Sequence, residues 1–151
     1  MTLQDIPTII SVIFAVGLTL TLCYLIIAPM LGTPVDVFGV LTSVLGMLKW
    51  VDTLILLILV LSGVSGLVFA SMVRVHPSFL FLSILLLGLI EIIMVFLANA
   101  WETYASNSGI VVIMPNFPYL QLVMSYLPQI TLGYGILFLI ALHGKPGVNV
   151  G

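Results

Sequence analysis

Charge is what this sequence has least of. Its 151 residues include three Lys or Arg and five Asp or Glu, 5% of the chain. A soluble domain carries about a quarter charged residues, because its surface faces water. So few charges cannot cover a soluble fold of this size, whereas 62% hydrophobic residues and a mean hydropathy of +1.40 suit a bilayer. The chain is read as an integral membrane protein. A formal net charge of −2 gives no electrostatic ground for binding nucleic acid or an acidic partner. Cysteine is nearly missing as well. Cys23 stands alone in an apolar run, which excludes an intrachain disulfide and suits a small packing residue. The start, "MTLQDIPTII", has no basic n-region, so it is not read as a cleaved signal peptide. Catalytic signatures are absent too: no HExxH, GxSxG, CxxC, P-loop or dinucleotide-binding pattern occurs. His76 and His143 fall at the edges of apolar runs and read as solvated loop residues. No enzyme activity, no metal site and no cofactor are expected.

What is present is four long apolar runs. A helix needs about 20 apolar residues to cross roughly 30 Å of hydrocarbon. The runs lie at about 6–31, 54–73, 79–100 and 119–142. Pro7 suits the first turn of the first run and Pro29 its exit. The short link "RVHP" makes spans two and three an antiparallel hairpin. Residues 36–50 differ. Asp36, Gly39, Thr42, Ser43, Gly46 and Lys49 recur at steps of three or four, a helical stripe against an apolar remainder. This predicts an interfacial amphipathic helix between spans one and two, anchored at headgroup depth by Lys49 and Trp50. The alternative is that residues 36–53 run straight into the second span. Between spans three and four, Trp101 and Tyr104 suit the aromatic belt. "SNSG" is a turn, and "IVVIM" reads as an extended or re-entrant piece. The expected fold class is therefore an all-α integral membrane protein, with four transmembrane helices plus one interfacial helix, in a single membrane domain over residues 1–151. Arg74, His76, His143 and Lys145 fall on the face of the N-terminus, and Asp36, Lys49, Asp52 and Glu102 fall on the other. The positive-inside rule then puts both termini in the cytoplasm of a multi-pass protein.

Glu91 interrupts the third run. A carboxyl at that depth costs a few kcal/mol on insertion scales, so it must face protein or water, or be protonated. Its helical neighbours Gly88 and Ala98 are small and would let another helix approach. One reading is a proton or cation site. The other is a protonated carboxyl that hydrogen-bonds another helix through Ser62, Ser65, Tyr126, Gln129 or Tyr134. No second ionisable group lies at matching depth in any run, which favours the second reading. Glu91, Gln129 and Tyr134 are the candidate intramembrane polar site.

Two further stretches bear on packing. In "SGVSGLVFAS", Ser62, Gly66 and Ala70 recur every four residues beside Gly63 and Ser65, a small-residue face for close helix contact. In "SYLPQITLGYG", Pro128 removes a backbone donor and should kink the fourth span. Thr131 to Gly135, "TLGYG", resembles the potassium-channel filter "TVGYG" over five residues. A filter sits between a short pore helix and an inner helix. Neither is provided here, so the stretch reads as a softened span that packs closely on its neighbours. Lys49 and Asp52, three residues apart, read as an interfacial ion pair.

These features predict a non-enzymatic structural or assembly subunit of a larger membrane complex, or of the internal membrane of a virus particle. Its partners are lipid, other membrane subunits or copies of itself. The competing expectation is a small oligomeric channel or proton- or cation-coupled transporter that uses Glu91.

Overall fold

The computed structural model describes residues 5–31, 33, 39–73, 75, 76 and 78–144. Six α-helices follow in order: α1 (Asp5–Ile27), α2 (Val40–Met72), α3 (Phe79–Ala105), α4 (Ser108–Val111), α5 (Pro118–Ser125) and α6 (Leu127–His143). No strand occurs among the described residues. Three helices are long and apolar enough to cross a membrane, and up to four spans result if a bent helix pair counts as one. The described residues are helical, with no strand, and these long apolar helices suit a multi-pass membrane protein. Asp36, Arg74 and Lys145, on which the orientation rested, lie outside the described residues, and so does the N-terminus.

The α1 helix ends in a 3-10 turn over Ala28–Met30, with Pro29 in that turn. The next helix starts at Gly39, whose φ of 68° is the left-handed conformation that glycine adopts without a Cβ penalty. From there α2 runs 33 residues without a break. The separate interfacial helix expected at 36–50 is therefore not formed: residues 40–50 are the first turns of the same helix as residues 54–72. The physical reason is local. No proline falls in this stretch, and Leu, Met and Lys around residues 45–57 are good helix formers, so nothing ends the hydrogen-bond ladder at the polar stripe. At 1.5 Å per residue α2 is about 50 Å long, well beyond roughly 30 Å of hydrocarbon. Its early turns carry exposed Met47 and Trp50, at 66% and 72% accessibility.

The stretch after α3 is helical, not extended. Asn107 caps α4, its Oδ1 accepting from the Gly109 N–H at 3.3 Å. A 3-10 turn over Met114–Asn116 follows, and the chain then bends by 113° into α5. The expected fourth span at 119–142 is interrupted. Tyr126, at φ −103° and ψ 17°, separates α5 from α6. Pro128 sits in the first turn of α6, where its missing N–H has no intrahelical partner to lose. The 17 residues of α6 alone fall short of a full crossing.

The core lies between these elements in two parts. One joins Ile10, Ala70, Leu87, Ile90, Met94 and Phe138, where α6 packs on α3 and α2. The other gathers Ile13, Leu20, Trp101, Ile113, Phe117, Leu120 and Met124 around α5. The inner face of the short α5 is fully enclosed at Leu120, Val123 and Met124, as is Phe117 just before it. The long helices are the reverse: only 17–28% of the most apolar stretch of each is buried. Leu, Ile, Val and Phe side chains therefore cover the outside, which hydrocarbon accommodates and water does not.

Candidate functional site

Asp52 and Glu91 both sit on long helices, and their surroundings differ. Asp52, on α2, is 2% exposed. Its Oδ1 accepts from the Leu120 N–H at 2.7 Å and its Oδ2 from the Tyr119 N–H at 3.1 Å. These are the second and third residues of α5, whose first residue is Pro118. The first N–H groups of a helix have no intrahelical acceptor, and a negative charge there is favoured by the helix dipole. Phe117 occupies the capping position and has no side-chain acceptor. Asp52 supplies the missing cap from another helix. The expected Lys49–Asp52 ion pair is not formed: the Asp52 carboxylate is engaged with α5, and Lys49 is exposed with no ion pair among the described residues. Charge-assisted hydrogen bonds of this kind contribute about 1.5–3 kcal/mol each.

Glu91 has no such partner. It lies near the middle of α3, at the margin between buried Leu87, Met94 and Ala98 and exposed Gly88 and Val95. Its Oε2 is enclosed and makes no hydrogen bond. The expected partners are engaged elsewhere or turned outward. Ser62 Oγ donates to the Leu59 carbonyl at 2.9 Å and Ser65 Oγ to the Leu61 carbonyl at 2.7 Å, each within α2. Gln129 and Tyr126 are exposed. The Tyr134 hydroxyl is buried without a partner of its own. The expected hydrogen bond from Glu91 to another helix of this chain is thus not made, and Glu91, Gln129 and Tyr134 are not brought into one bonded site.

Tyr134 instead lines a cavity of about 70 Å³ between α1, α2 and α6, with Ile9, Ile10, Leu59, Ser62, Gly63, Ile130 and Thr131. Its ring lies over Gly63, where a Cβ would meet Cε2 at 3.6 Å. Gly66 and Ala70 are buried, so the small-residue face of α2 does turn inward. Gly88 does not: it is exposed, with nothing within 4 Å of where its Cβ would stand. Within this chain no helix packs on Gly88 among the described residues, while Ala98 at 6% accessibility is a packing position. The tightest contacts between helices fall on two glycines that the small-residue pattern of α2 does not single out. A Cβ on Gly135 would overlap the Leu87 side chain, and one on Gly17 would stand 2.7 Å from Leu120 Cδ1. Gly135 thus sets the approach of α6 to α3, and Gly17 that of α1 to α5.

The aromatic anchors divide. Trp50 is outward, but Trp101 is 1% exposed and packs edge-on to Phe14, ring centroids 6.0 Å apart. Tyr104 stacks obliquely on Trp101, and its hydroxyl pairs with Thr21 Oγ1 at 2.6 Å. These two rings bind α3 to α1 instead of facing headgroups, because the chain folds α4 and α5 back across them. His76 Nδ1 accepts from the Ser78 N–H at 3.2 Å, and His143 Nδ1 lies 3.2 Å from the Leu139 carbonyl. Among the described residues no three His, Cys, Asp or Glu gather in a metal-binding group. No known protein family, curated protein or solved structure matches this chain.

Proposed function

We propose that the protein is a non-enzymatic integral membrane subunit of a larger assembly. The observation that carries this reading is Glu91: a carboxyl in mid-span, at the edge of an exposed face, without a hydrogen-bond partner among the described residues. In hydrocarbon such a group costs a few kcal/mol, and a donor on a neighbouring chain relieves that cost. The exposed Gly88 one turn away leaves room for that neighbour's backbone. The apolar outer faces, and an α5 whose Leu120, Val123 and Met124 are fully buried, fit a compact building block.

The same carboxyl, with the interruption between α5 and α6, supports a second reading as an oligomeric channel or proton-coupled transporter. Interrupted helices and intramembrane acids recur where ions cross. One pair of variants separates the two. Under the assembly reading, Glu91→Gln keeps the hydrogen bond and leaves the mass on native gels and any flux in liposomes unchanged. Glu91→Leu then shifts the protein from the large species to smaller ones. Loss of flux in Glu91→Gln with the large species intact would establish the transport reading instead.

A further inference from the structure

The outer face of α3 repeats at alternating steps of four and three: Phe81, Leu85, Gly88, Ile92, Val95 and Asn99, all exposed. This is the spacing of a helix-pair seam. A comparable outward row on α2, Met47, Trp50, Leu54, Leu57, Leu61 and Val64, is apolar throughout, and lipid alone suits it. The α3 row differs at two positions. Gly88 leaves an open space, and the Asn99 side chain makes no hydrogen bond among the described residues. Three exposed hydroxyls elsewhere bond the carbonyls of their own helix: Thr19 that of Ala15, Ser65 that of Leu61 and Thr103 that of Asn99. Neither Asn99 nor Glu91 makes such a bond.

We infer that this face binds α3 of a second copy of the chain, in parallel, about a two-fold axis along the membrane normal; this rests on the assembly reading above. The chemistry selects the partner. An amide is donor and acceptor at once, so Asn99 pairs with Asn99, as a single Asn does at the equivalent seam position of a parallel coiled coil. Like residues meet across such an axis. Two copies inserted the same way present α3 in parallel, which brings Gly88 to Gly88 and lets the backbones close on each other. Glu91 lies beside the seam at the position from which side chains reach across to the partner helix.

Cysteine cross-linking of the full chain in membranes tests this, in a Cys23→Ser background. With copper-phenanthroline as oxidant, Ile92→Cys and Val95→Cys are expected to form disulfide dimers, while the exposed off-seam controls Ile93→Cys and Ala100→Cys are not. Adding Asn99→Leu lowers the dimer fraction by about three- to tenfold, the range of one interhelical hydrogen bond. Equal cross-linking at Ile93→Cys, or dimers only through Gly133→Cys and Ile136→Cys on α6, overturns the α3 seam. A large species on native gels with no self-cross-link overturns it too and leaves the assembly reading standing. Migration as a monomer from native membranes overturns both.

Discussion

Replacing Asp52 by Ala removes the acceptor of two backbone N–H groups, that of Leu120 buried and that of Tyr119 partly buried. Each orphaned donor costs about 1–3 kcal/mol. Asp52→Ala is therefore expected to lower the unfolding midpoint in detergent more than any other single replacement of a polar side chain on α2, and Asp52→Asn, which keeps one acceptor, to lower it less. Lys49→Ala should change it little; an equal loss would restore the ion pair that the sequence suggested. That pair was the natural reading, because Lys49 and Asp52 are three residues apart and their true partners are not side chains. A backbone N–H leaves no mark in a sequence. One signal was nonetheless present: Pro118 opens a helix with Phe117 before it, where Ser, Thr, Asp or Asn would be expected. A helix start with no cap of its own takes one from elsewhere. Glu91 was legible as an oddity, but which groups would face it depended on the break at Tyr126 and the outward turn of Gln129.

At the scale of elements, close approach is governed by two glycines. Gly135→Ala and Gly17→Ala push a methyl into Leu87 and Leu120, and overpacking of this kind costs about 1–3 kcal/mol. Gly133→Ala meets nothing within 4 Å and replaces a poor helix former by the best one, so it should be neutral or stabilising by up to about 1 kcal/mol. Thermal melts of the three variants in one detergent check this; a common loss for all three would mean that the helix contacts do not set stability. The sequence showed the inward face of Ser62, Gly66 and Ala70 because repeats of four are visible in one helix. Gly17 and Gly135 belong to no such repeat, and their role depends on the leucine that each one faces. The boundary at residue 50 failed for a related reason. A polar stripe says which side of a helix faces water, not where the helix ends.

For the whole molecule, composition alone fixed the membrane class, since eight charged residues leave no other surface to water. How the spans divide depended on α2. At about 50 Å it outlasts the hydrocarbon, so its early turns must lie beyond it. In a Cys23→Ser background, Ser43→Cys is expected to react with a maleimide that cannot enter the bilayer, and Ser65→Cys to resist it. Protection at both positions would put the whole helix within the bilayer and require a steep tilt. The Asp52 clasp also has a bearing on how the protein is made. Asp52 leaves the ribosome 67 residues ahead of Tyr119, and α5, at eight residues, is too short to enter a bilayer as a span of its own. The bond cannot close before that segment is synthesised. Until then the acid waits with its intended donors unmade, and α5 completes a site that α2 has left open.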